Sequence, residues 1–371
     1  MILRSVRAAF RPLLLSLLLL PAACRRQAVE VRPTIPLVRE ILSARSDLRA
    51  QMLRDAACLP ASDIAIIGSE LNCDRLTELF LFRDEQDNVD ARMHRDGLPD
   101  FAGETFACIG DPVPYEMLLA SRGEEELRRQ TVLRVLAALD TVVHISPYDL
   151  DGLGAKPSAK MVVLADPYLT EFGAFDVDTL LRSTGCRVPV VSAIELMIGE
   201  VFSRSERSDL SVGILCDPQY AESGIYERIF ARMAGERQMH GASVVVSGVT
   251  ARDSVLRVFL EQYVASGRSR PLDAILIDDL FVRPEPLKSE LAEIVSIMNE
   301  SSMTYGRLFS RNFFFLNAFD EVSVACYNFL RQNNLFTHNI AKPQATFYRP
   351  VERPGAEDRS IILIPGSYVQ N

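Results

Sequence analysis

The sequence predicts an α/β protein built as two doubly wound, Rossmann-like lobes with mostly parallel sheets. Three features of the chain point there. Short apolar runs recur along it, and most are continuous rather than alternating, as in strands covered on both faces. Helical patterns separate them, which is the rhythm of a doubly wound sheet. The runs are also more numerous than one such lobe needs, so two lobes are expected.

Taken in order, Met1 to Arg11 carries Arg4, Arg7 and Arg11 without an acid, and Pro12 to Leu20 is almost purely apolar. Nine residues are too few to span a bilayer, which takes roughly 20. Pro21-Ala22-Ala23-Cys24 follows, so residues 1–23 read as a cleaved secretion signal. Residues 24–36 read as a polar tether. Leu37 to Ala57 reads as an amphipathic helix, with Leu37, Ile41, Leu48 and Met52 at helical spacing.

The apolar runs are Ile64–Ile67, Thr105–Ile109, Val142–Ile145, Met161–Leu164, Val188–Val191, Val212–Cys216, Ser243–Val246, Ala274–Ile277 and Phe313–Leu316. Between them lie helical patterns at Glu124–Leu139, Ser192–Ser203, Tyr220–Ala234, Asp253–Ala265 and Pro286–Glu300. Ser183-Thr184-Gly185 breaks the pattern, so the lobes are expected to span 37–184 and 185–371. The apolar stretches Ala345–Tyr348 and Ile361–Leu363 can supply strands that return to the first lobe. Asp84 to Glu104 is a polar loop with five aspartates. It lacks the spacing of a calcium-binding loop and is long enough to expect a function or disorder.

A formal charge of −9 argues against nucleic acid, whose binders present concentrated positive charge. The six cysteines after Cys24 have irregular spacing and no C-x-x-C, so buried thiols are expected, and no histidine has zinc-ligand spacing to them. No phosphate-cradling glycine motif and no G-x-S-x-G elbow occurs, and no cofactor is expected. His144 lies in an apolar run and reads as a core residue. No triad can be assembled from His94, His144, His240 and His338.

Ligands of open α/β sheets gather beyond the carboxyl ends of the strands. The residues there are Ser69 and Glu70, Asp111, Ser146, Asp166 and Tyr168, Asp217 and Tyr220, Ser247, and Asp278 with Asp279. Asp-Pro leading into a helix is also good capping chemistry, so a structural role is open for each. Collectively, acids and tyrosines converging on one cleft would favour a ligand with positive charge or many hydroxyls.

The tail Leu19-Leu20-Pro21-Ala22-Ala23-Cys24 resembles a bacterial lipobox, with Pro21 where that pattern usually has leucine. The resemblance implies lipid attachment at Cys24 and anchoring at a membrane of the cell envelope, facing the periplasm. VPVVSAIELMIGEVF, LSVGILCDPQYAESGIYERIF, GASVVVSG and LDAILIDDL together resemble two families. One is the type I periplasmic-binding fold, with two lobes hinged around a ligand. The other is the aspartate/glutamate racemase group, which implies two opposed strand-end cysteines as acid and base. Cys216-Asp217-Pro218 is only loosely similar to that group's cysteine motif, and Cys108 is the remaining strand-end thiol.

The expectation is therefore a lipid-anchored periplasmic protein that closes its lobes on a small polar solute. The alternatives are a hydrolase or isomerase using paired strand-end aspartates such as Asp166 and Asp278, or a structural or assembly lipoprotein with a vestigial cleft that meets an envelope protein partner.

Overall fold

The computed structural model describes residues 32–366, apart from 45, 91, 150–153, 250–253, 268–269, 280–281, 283, 302–307, 338 and 357–358. Cys24, the expected signal segment and His338 lie outside the described residues. From Thr34 onward the chain forms a single unit. It is α/β with two mostly parallel, Rossmann-like sheets.

The strands of the first half are β1 (Asp63–Ser69), β2 (Thr105–Asp111), β3 (Val142–Val143), β4 (Gly154–Ala155), β5 (Ala159–Leu164) and β6 (Val190–Ser192). Then come β7 (Ser211–Cys216), β8 (Ser243–Gly248), β9 (Leu272–Asp278), β10 (Phe309–Asn317), β11 (Gln344–Glu352) and β12 (Ile361–Pro365). The first sheet runs β12-β11-β2-β1-β5-β6 and the second β10-β9-β7-β8, with β12 the lone antiparallel strand of either. The central strands are buried along nearly their whole length, which is why their sequences are continuous apolar runs.

Sheet membership changes after β6, so Val190–Ser192 belongs with the first sheet and not beyond a boundary at residue 185. The C-terminal strands also pair there, β11 alongside β2. The run Val142–Ile145 departs from expectation, since only Val142 and Val143 are extended, in a hairpin with β4. Val142 and Ile145 are exposed, and β5 takes the place beside β1 that this run would have needed.

The helices are α1 (Pro36–Ser43), α2 (Leu48–Asp55), α3 (Glu70–Phe82), α4 (Tyr115–Arg122), α5 (Glu124–Leu139), α6 (Ala174–Thr184) and α7 (Ala193–Ser203). They continue with α8 (Pro218–Ser223), α9 (Ile225–Glu236), α10 (Val255–Ala265), α11 (Pro284–Ser301) and α12 (Ala318–Gln332). The expected helix over Leu37–Ala57 is broken, because Asp47 caps α2 by accepting from the backbone of Arg49 and Ala50. The pattern Tyr220–Ala234 is likewise two helices. Gly224 separates them with φ +70°, a left-handed conformation that glycine adopts without a Cβ clash.

Buried ion pairs pin the first half. Lys160 meets Glu104 at 2.6 Å with neither side chain accessible to water. Lys160 also donates to the carbonyls of Pro60 and Leu335, and Glu104 accepts from the Thr337 amide. Arg128 pairs with Asp176, which also accepts from the Ile35 amide and so ties the start of α1 to α6. The acidic loop is an arm against α12. Asp100 turns its carboxylate inward onto Arg83 and the amides of Glu85 and Gln86, while Tyr327 and Arg331 donate to loop carbonyls.

Candidate functional site

In a doubly wound sheet the chain departs from its starting strand in one direction and later returns to that strand's other side. The crevice between the two strands where this reversal occurs is where ligands bind. The strand orders place that point between β1 and β5 in the first sheet and between β7 and β9 in the second. The residues at or just beyond the carboxyl ends of these strands are Ser69, Asp166, Asp217 and Asp278. All of them line one cavity of about 240 Å³, together with Asp279 and Tyr220.

Asp166 follows β5 and is 3% exposed. Its Oδ1 accepts from the Tyr168 amide at 2.9 Å, which starts the next helical turn. That turn widens into a π-helix, Leu169–Gly173, a rare form often found at functional sites. Within it, Thr170 donates to Ser192 at the end of β6, fixing the floor of the cavity. The other oxygen, Oδ2, accepts from the Tyr220 hydroxyl at 2.7 Å, and Tyr220 comes from α8 beyond the second sheet. Asn72 on α3 donates to the same tyrosine oxygen at 3.1 Å.

Asp278 ends β9 and accepts from the Tyr226 hydroxyl at 2.7 Å. Tyr226 lies in the first turn of α9, and its ring meets that of Tyr220 edge-on at 6.3 Å. Each aspartate therefore has its own phenol donor. Asp217 caps α8 by accepting from the Gln219 amide, and Gly248 lets β8 end against that cap, where a Cβ would meet Pro218 at 2.6 Å.

Burial governs the electrostatics. Loss of water pushes the Asp166 carboxyl up to about 7, against the pull of the Tyr220 and Tyr168 hydrogen bonds, with the charges of Glu116 and Asp278 adding to the rise. Burial likewise pushes Asp278 up to about 6, opposed by Tyr226 and reinforced by Asp279. Both phenols are pushed up, first by burial and then by the aspartate each faces, so they remain protonated donors. Between about pH 6 and about 7, then, Asp278 is mostly ionised while Asp166 still mostly holds its proton.

Other predicted residues stand elsewhere. Glu70 is held by Arg349 at 2.8 Å. Asp111 is buried against Arg134, 2.6 Å away, and Tyr115. Ser146 turns a loop through Tyr148 and Asp149, away from the cavity because the run before it is not a sheet strand. Ser247 is buried, its carbonyl beside the Cys216 thiol. Tyr168 packs under the site, stacked on Phe172. Strand-end position brought Asp111 and Ser247 into consideration, but β2 and β8 lie off the reversal points. Asn72, Arg75, Glu116 and Tyr226, which also line the cavity, were not singled out in the sequence. Each sits three or more residues past a strand end, inside a helix that follows, where a strand-end rule does not reach.

Among the described residues, no thiol lines the cavity. Cys216 and Cys108 are buried within their strands, and burial pushes Cys216 well above its ordinary range. The six cysteines among the described residues are all free. No group of three His, Cys, Asp or Glu among the described residues could hold a metal ion, and no described helix is long and apolar enough to cross a membrane.

No protein-family model and no curated protein matches the chain. Among solved structures it is similar to glutamate racemase from Francisella tularensis subsp. tularensis SCHU S4, in complex with D-glutamate. The two share 13% identity over 78% of this chain and 89% of that one, with a TM-score of 0.46. It is also similar to glutamate racemase isoform RacE1 from Bacillus anthracis (12% identity, 78% and 88% covered, TM-score 0.45). A third is the glutamate racemase from Aquifex pyrophilus (13%, 77% and 88%, TM-score 0.39). These belong to the second of the two families the sequence resembles. At this distance no residue role carries over, and the cavity is read from its own side chains.

Proposed function

We propose that this chain is an isomerase-type enzyme in which Asp166 and Asp278 exchange a proton with a small substrate held between the two sheets. The observation that supports this most is the pair itself. Two carboxyls at the reversal points of separate sheets face one cavity, and burial brings both into the range where a proton is gained and lost near neutral pH. When the pair holds a single proton, one member serves as base and the other as acid. A C–H beside a carbonyl, placed between them, would lose its proton to one carboxylate and regain one from the other.

A cavity of about 240 Å³ is smaller than those that take drug-sized ligands. Among the described residues its lining carries Glu116, Asp166, Asp217, Asp278 and Asp279 against one basic residue, Arg75, itself 3.0 Å from Glu78. That charge favours a cationic or polyhydroxylated substrate. Export and lipid attachment at Cys24 remain part of the proposal, supported by the residues preceding that cysteine.

The test is incubation with a panel of small amines, amino acids and sugars in D2O. Carbon-bound deuterium appearing in one of them supports the reading. A compound that raises the melting temperature without exchanging favours the solute-binding alternative, because ligands of the native state stabilise without turnover.

A further inference from the structure

The two aspartates differ in where their phenols come from. Tyr226 and Asp278 both belong to the second sheet, β7 to β10, and its helices. Tyr220 and Asp166 do not share a sheet. Tyr220 sits on α8, a six-residue helix bounded by the Asp217 cap and by Gly224, and it reaches the strand end of the other sheet. Its ring packs 6.0 Å from Tyr168, and Asn72, also from the first sheet's side, donates into its oxygen.

A phenol has one hydrogen to give. With the Asn72 amide donating into the Tyr220 oxygen, that hydrogen is directed at Asp166 Oδ2. We propose that Tyr220 is a positioning residue, reaching from the second sheet to the first so that Asp166 can release its proton only while that contact is made. The inference rests on the proton-transfer reading above. Other ties across the same seam run from Arg232 on α9 to Glu171 of the π-helix at 3.3 Å and to Glu195 on α7 at 2.7 Å, but none touches a carboxyl of the pair.

The groups facing Asp166 are Tyr115 and Glu116 from α4, Tyr168 from its own turn, Tyr220 from α8 and Asp278 from β9, with Arg75 on the cavity wall. Tyr220 is the side chain among them whose contact lowers the proton affinity of Asp166, working against burial and the neighbouring acids. Without it, Asp166 would hold its proton more tightly.

The experiment is carbon-13 NMR of the full-length protein labelled at the aspartate side-chain carboxyl, titrated with pH, with no substrate needed. Tyr220→Phe is expected to raise the Asp166 midpoint by about one unit, a roughly tenfold tighter hold on the proton, while Asp278 keeps its midpoint. Asn72→Ala, which leaves the tyrosine in place, is expected to raise the same midpoint by a smaller amount and keeps the test open if Tyr220→Phe fails to fold. An Asp166 midpoint that stays put in the folded variants, or an Asp278 midpoint that moves as far, overturns the inference. Failure of the proton-transfer reading is distinguishable, because it shows as absence of deuterium exchange whatever the titration gives.

Discussion

Asp166 works against the stability of the protein that holds it. Its folded carboxyl titrates at about 7 against an ordinary 3.8, so the folded state binds a proton that the unfolded chain releases. Its destabilising effect is absent at low pH, grows from about pH 4 and is complete above about 7. At ~1.4 kcal/mol per unit it reaches a few kcal/mol. Asp166→Asn is therefore expected to melt higher than the parent protein, by a margin that widens from pH 4 to 7 and then levels. A margin independent of pH in thermal melts would contradict the assignment. The Lys160–Glu104 pair is the structural counterpart. Lys160→Met leaves Glu104 buried without its cation, and a loss of ~3–5 kcal/mol is expected in urea unfolding. Asp166 and Asp278 were legible in the sequence because each follows an apolar run. Asn72 and Tyr226 were not, since a polar residue in the first turn of a helix looks the same whether it faces a cavity or solvent.

Hydrophobic periodicity located most strands and helices, because buried parallel strands leave continuous apolar runs and helices leave faces. It failed where a local turn signal outweighed the period. The spacing over Leu37–Ala57 continues across a cap at Asp47, and that over Tyr220–Ala234 continues across Gly224. The second case bears on function, since the break at Gly224 is what lets α8 carry Tyr220 toward Asp166 while α9 carries Tyr226 toward Asp278. Gly224→Ala is expected to destabilise the protein by ~1 kcal/mol, because alanine pays for the left-handed backbone at φ +70°. Were the helix continuous, the same change would stabilise it by a similar amount, so the sign of the shift in chemical denaturation decides between the two. The run Val142–Ile145 misled for a different reason. Four apolar residues satisfy a strand pattern, but which runs enter a sheet depends on which neighbours are already filled, and β5 fills that place.

At the scale of the whole molecule, the succession of runs and helices indicated two sheets, and both are present. The strand orders were not legible, because they depend on long-range pairing, and they decide which strand ends meet. Of the acids and tyrosines found at strand ends, those at the two reversal points share the cavity, while Asp111 and Ser247, one strand away, are spent on the interior. The N-terminal proposal has its own check. Cells fed labelled palmitate should incorporate the label in the protein, and Cys24→Ser should abolish it; label retained by that variant would contradict attachment there. The central claim is that Asp166 and Asp278 work as one acid–base pair sharing a proton. Its most direct test is the pH dependence of deuterium exchange into whichever compound exchanges, with Asp166→Asn and Asp278→Asn beside the parent. The account predicts a bell with limbs near pH values of about 6 and about 7, rising as the pair loses its second proton and falling as it loses the last, with exchange abolished in both variants. Exchange that survives either substitution, or a rate that does not change between pH 5 and 8, would contradict it.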